Sequence, residues 1–473
     1  MNSSTPAGRR AGADLLASFA ALAVATTALL TLAGCGGADG VAEPAATTTP
    51  PKLPEAVATP ALQSLPDYLA QRSRPSTTPG LPAPSSAELA SIADVSRARA
   101  VAQLASALAP RGNAMVVPPL SFAYANVLTS AARGATLAQV LARYPAELGP
   151  WAAAAQTQGV QRRLWAPRGT GFLPAFLAAS DVAGGTAAPS LAGWAAAEVA
   201  DWSDPSYWQS LTALNGGLPA AGTPGSLTRL VVADALTDAL DWPAASTFDG
   251  TYATERGGTR LRLPMLRINT GVKRLLLPDF VIDAVTVGQR TLLKLEPREG
   301  LLYLAGGEKL NAALAQAMQA LIGPGRSSLA DASLVLPVLT MKLPGQSASD
   351  VGLPLAFDEI NADLRGFDGG GSYLKVGNAE TQLTLGASGL SVSAAHKVEF
   401  VFSTKNVFVP DYGYGVVVTS TNSGSSVVQI RQSTPACPQP ESDLRSFFLA
   451  VLDAQKRVIS LSALAELNGD VCL

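Results

Sequence analysis

The chain has 473 residues, 48% hydrophobic and only 15% charged, which is ample apolar material for a large core and excludes disorder for most of it. A formal net charge of −2, with no basic run interleaved with aromatics, excludes an electrostatic footprint for nucleic acid. One histidine and three cysteines are too few for a zinc cage, and the acidic residues lack calcium-loop spacing, so neither metal nor cofactor is expected.

Residues 1–34 combine the basic pair Arg9 and Arg10 with an apolar stretch and small residues, the pattern of a secretory signal. The ending Leu32, Ala33, Gly34, Cys35 resembles a bacterial lipobox, which implies that Cys35 becomes the acylated first residue of an exported protein. A membrane-spanning anchor is the alternative for the same apolar run. Gly36, rather than Asp, follows the cysteine, and by resemblance to lipoprotein sorting a Gram-negative host would place the protein at its outer membrane. Residues 35–86 are rich in Pro, Thr, Ala and Ser and read as a disordered linker. The globular part is expected over residues 87–473.

Apolar positions at helical spacing predict a helix over 87–108, stopped before Pro110. The Ala-rich stretch 152–200 is poorly patterned, with a strand expected around Arg163 to Trp165 and a helix over 173–179. Strands are predicted at 227–235 and 259–268, a helix at 309–321, and mostly strands from 332 onward, separated by Gly and Asn clusters.

Several of these segments share a family pattern. Pro119, Leu120, Ser121, an apolar helix, then Gly134, Ala135, Thr136 and Gln139 resemble the opening of the serpin fold. T-R-L-V-V-A-D-A-L-T-D-A-L-D-W (228–242) resembles the family strand that ends in Trp242, with Asp234 in place of its Asn. Leu263-Pro264-Met265-Leu266, Leu336-Pro337-Val338-Leu339, G-L-P-L-A-F-D-E-I-N-A-D-L (352–364) and the terminal strands near Ser446 and Arg457 follow in family order. The resemblance implies an α+β serpin fold of about nine helices and three β-sheets with a large central mixed sheet.

It also implies inhibition of a serine (or cysteine) protease, by cleavage of an exposed loop that then inserts into the large sheet. Matching Phe408 to the family spacing makes Gly415 the hinge, with Val416, Val418, Thr419, Ser420 and Thr421 in the inserting segment. The scissile bond then falls near Val428, Gln429, Ile430 and Arg431. Gly413 and Tyr414 stand where the family has acidic residues, and 371–406 is about 25–30 residues longer than the pattern needs, judged against ordinary element lengths. A competing register takes Gly389 as hinge, followed by Ser393, Ala394 and Ala395; the strand-forming run 398–402 makes it a poor exposed loop. A serpin fold without inhibitory action, serving as a binding or structural module, is the alternative function.

No hydrolase arrangement accompanies the single histidine, His396, which reads as a sheet or surface residue, and no enzyme activity is expected. Export would place Cys437 and Cys472 in an oxidising compartment. A bridge between them would close a loop of about 35 residues and add ~3–4 kcal/mol by the chain-entropy model; two separate thiols are the other reading.

Overall fold

The computed structural model describes residues 61–72, 86–108, 112–143, 159–181, 194–214, 223–242, 244–254, 260–299, 307–322, 329–344, 353–375, 379–404, 443–467 and 470–472. Among these residues there are nine helices and three large sheets, with one further two-stranded ladder. Residues 1–60, including Cys35, lie outside them.

Helix Ser86–Leu108 matches its predicted span. Helix Pro118–Ala131 begins with two prolines, whose missing N–H groups cost nothing in a first turn. It runs through the core, with Leu120, Phe122, Ala125, Val127 and Leu128 buried. Helix Gly134–Arg143 follows at once. Thr136 Oγ1 accepts the Asp363 N–H at 3.0 Å, and Gln139 Oε1 accepts the Leu355 N–H at 3.0 Å. Two stretches of the sequence pattern more than 200 residues apart are thus parts of one contact, in which side chains satisfy backbone donors of a turn segment.

The principal sheet is mixed. From one edge its order is Leu339–Pro344, Ala379–Leu385, Gly389–Phe402, Thr228–Asp241, Gln161–Pro167 and Trp194–Val199, all antiparallel except the last pair. The short strand Ser372–Lys375 continues the line of Ala379–Leu385 along the far end of Gly389–Phe402. A second sheet of seven strands has Arg290–Pro297, Phe447–Leu452 and Val458–Leu464 near its middle. The third, of five, is built on Ser246–Ala253 and Arg260–Ile268. The strand Thr228–Asp241 runs six residues beyond the predicted 227–235, because Leu236 and Leu240 keep facing the core at period two.

The reading of 35–86 as disordered linker is corrected for residues 61–72. Residues Gln63–Ser64 form a strand and Leu65–Arg72 a helix, both docked on the domain. Ser64 Oγ accepts the Asp67 N–H at 3.2 Å and donates to the Asp67 carboxylate at 2.6 Å, an N-cap that starts the helix. Leu65 is fully buried in the principal core, and that apolar anchor outweighs the local proline-rich composition.

Candidate functional site: the central strand and its buried polar cluster

Within 371–406, longer than the sequence pattern required, Ala379–Leu385 and Gly389–Phe402 form a hairpin inside the principal sheet. Its second arm, Gly389–Phe402, pairs with Ala379–Leu385 on one side, and on the other with Thr228–Asp241 over nearly its whole length. The register runs from Gly389 opposite Asp241 to Val401 opposite Thr228. The strand is central rather than an edge, so its backbone donors and acceptors are taken on both sides.

At the hairpin's turn, Trp242 fixes the geometry. Its Nε1 donates to Gly386 O at 2.8 Å and its backbone N–H to Ser388 O at 3.0 Å. A Cβ at Gly389 would stand 2.4 Å from Leu240 O, so only glycine fits where the two strands meet.

Alternate residues of the strand face the main core: Leu390, Val392, Ala394, Val398 and Phe400 are each at most 2% exposed. Phe400 packs on Phe176 and Phe367, with ring centroids 5.9 and 5.0 Å away, and Phe172 closes the cluster against Phe367 at 5.4 Å. On the opposite face, Ala395 packs with Trp165, Tyr207 and Leu211 beneath helix Pro205–Leu214. Lys397 and Glu399 pair there at 3.1 Å, both 7% exposed, and Thr228 Oγ1 donates to Glu399.

His396 lies opposite Asp234, at the middle of the sheet and on its core side. Asp234 is held by the buried Arg162, Nε at 2.6 Å and Nη2 at 2.8 Å; the same guanidinium donates to Ser180 O and Ala123 O. The Tyr124 ring lies 4.8 Å from the imidazole. No hydrogen bond among the described residues reaches His396 Nε2. Burial drives the His396 pKa down to about 4; Asp234 opposes that shift and Arg162 adds to it. Buried and held neutral, the imidazole packs against the Tyr124 ring.

A pH dependence follows. The folded imidazole stays neutral down to about pH 4, whereas in the unfolded chain it takes a proton below about 6.5. The stability it contributes is complete above pH 6.5, falls as pH drops toward 4 and is constant below. The loss is on the order of 3 kcal/mol. Urea unfolding at pH 7 and pH 4 is expected to show this difference in the parent protein and to show it reduced in His396→Leu.

The hinge residues Gly415, Val416, Val418, Thr419, Ser420 and Thr421 lie outside the described residues, as do Val428, Gln429, Ile430 and Arg431. Cys437 lies outside them as well, while Cys472 ends a short strand, Asp470–Cys472, whose backbone pairs with Arg260 to Arg262. Among the described residues, the strand between Ala379–Leu385 and Thr228–Asp241 is Gly389–Phe402.

No family model matches the chain. No curated protein matches it either. Among solved structures it superposes on a cleaved serpin 42Da with a TM-score of 0.57 at 14% identity, covering 80% of this chain and 99% of that one. The thermophilic serpin tengpin in its latent state gives 0.56 at 12%, covering 79% and 97%. The fold is that of the serpins. A loop-inserted, cleaved ovalbumin mutant gives 0.55 at 12%, covering 80% of this chain and all of that one. The α+β class, with its large mixed central sheet, agrees with the sequence expectation.

Proposed function

We propose that this chain is a non-inhibitory serpin-fold module, exported and lipid-anchored through Cys35, that acts by binding at the cell envelope rather than by a protease-trapping spring. The observation that carries the reading is the composition of the seated strand. An inhibitory loop must be stable outside the sheet before cleavage, yet Leu390, Val392, Val398 and Phe400 are all buried in the core. Exposing four such side chains costs on the order of 6–12 kcal/mol, comparable with the whole net stability of a domain, ~5–15 kcal/mol. A strand of that kind is a permanent part of the fold.

A second reading keeps protease inhibition, with 389–402 outside the sheet in an active form. It is favoured by the small residues Ser391, Ser393, Ala394 and Ala395 at the strand's start. Incubation of the exported protein with a panel of serine and cysteine proteases separates the two. We expect no SDS-stable complex, and a melting temperature unchanged within about 2 °C, the shift from about 1–2 kcal/mol in a domain of this size, after nicking within 405–442. A covalent band, or a sharp rise in melting temperature on nicking, would establish the inhibitory reading instead. In the same cells Cys35→Ala should move the protein from the membrane to the soluble fraction; retention on the membrane would refute the lipid anchor.

A further inference from the structure

The docked segment 61–72 meets the domain where the central strand is anchored. Gln63 and Ser64 pair with Phe172 and Gly171. A Cβ on Gly171 would lie 2.9 Å from Leu62 Cβ, so the absence of a side chain lets the segment cross there. Leu65 is fully buried in the same core cluster as Phe172, Phe176 and Phe400. Tyr68 Oη donates to Asp181 Oδ2 at 3.2 Å, and its ring meets Trp194 edge-on at 6.0 Å. Asp181 follows helix Pro174–Ser180, which supplies Phe176 to the aromatic cluster and the Ser180 carbonyl to Arg162.

We propose that residues 61–72 form a strap that holds the lower half of the central strand in the sheet, acting through Phe172, Phe176 and Phe367 on Phe400. The physical link is one continuous packed body. The strap pins the strand Gly171–Phe172 and helix Pro174–Ser180; the helix carries Phe176, which packs on Phe400, and the strand carries Phe172, which packs on Phe176 and Phe367, so a shift in either loosens the packing around Phe400. Because such coupling is reciprocal, loosening the strand loosens the strap. The inference rests on the proposed function only in taking Gly389–Phe402 as seated in the uncut protein.

Hydrogen exchange of the full chain tests it, with Leu65→Asp as the strong variant and Tyr68→Ala as the mild one. Amides 398–401 are expected to exchange about tenfold faster or more in both, with strands Phe280–Val287 and Phe447–Leu452 unchanged. Phe400→Ala should in turn speed exchange at 65–70. A change confined to 61–72 and 171–172, or an equal rise through all sheets, would overturn the strap. If amides 390–400 already exchange rapidly in the parent protein, the seated strand itself fails, and with it the non-inhibitory reading; slow exchange that is indifferent to both variants removes the strap alone.

Discussion

Phe400→Ala is expected to destabilise the protein by about 3–5 kcal/mol, the usual cost of emptying a large aromatic site in a close-packed core. Phe400 is fully buried and touches two other rings, so the cavity borders side chains from helix Pro174–Ser180 and from the short helix Arg365–Asp368. Neither can close it without moving a sheet contact. Two positions along the same strand, Phe402 is 40% exposed and lies 5.8 Å from the Arg229 guanidinium. Its replacement by Ala removes only a partly solvated cation–π contact and should cost about 1 kcal/mol or less. Urea denaturation of the two variants side by side reads the difference. Equal, small effects at both positions would mean that residues 389–402 do not occupy the sheet in solution, and the argument for a permanent strand would be lost.

The parts of the fold that were legible are those in which a side chain meets backbone across a long sequence separation. Thr136 and Gln139 stood out because each takes one particular N–H, and few other residues at those positions would do so. The helices Ser86–Leu108 and Glu308–Ile322 were legible from periodicity alone. Strand Trp194–Val199 was not, since W-A-A-A-E-V carries almost no alternation and its place is set by the parallel neighbour Gln161–Pro167. The strap is not legible in composition, because proline-rich sequence surrounds it; its local signal is Ser64 capping the Asp67 N–H with a proline in the first turn. The excess residues in 371–406 were recognised but not placed. Leu390, Val392, Ala394, Val398 and Phe400 alternate with other residues along Gly389–Phe402, which marks one face as interior without saying between which neighbours the strand lies.

The candidate site was legible in the same uneven way. His396 could be called a sheet histidine from its strand-like surroundings, but its partners, Asp234 and Arg162, sit 162 and 234 residues upstream in strands whose order no local pattern encodes. Asp234 itself was visible only as a departure from the family's Asn. The structure gives that departure a cause: Arg162 lies directly across the strand pair and needs an anion where a neutral amide would leave it a buried, uncompensated cation.

Arg162→Met therefore should destabilise the fold by about 3–5 kcal/mol, because removing one partner strands the other charge in the core. Arg162 and Asp234 are 5% and 3% exposed, so water does not reach the orphaned carboxylate without opening the sheet. The double variant Arg162→Met/Asp234→Leu should recover most of that loss, since a buried ion pair replaced by apolar groups of similar volume is often neutral or better. The histidine reports on the same change with opposite sign. Arg162 pushes the His396 pKa down and Asp234 pulls it up, so removing only the arginine raises it toward its unfolded value and lessens the loss of stability between pH 6.5 and 4. A denaturant series at both pH values on the parent, single and double variants measures both effects. Should Arg162→Met cost less than about 1 kcal/mol, the level of a solvent-exposed pair, the cluster is open to water and the account of a closed, permanently seated central strand is wrong.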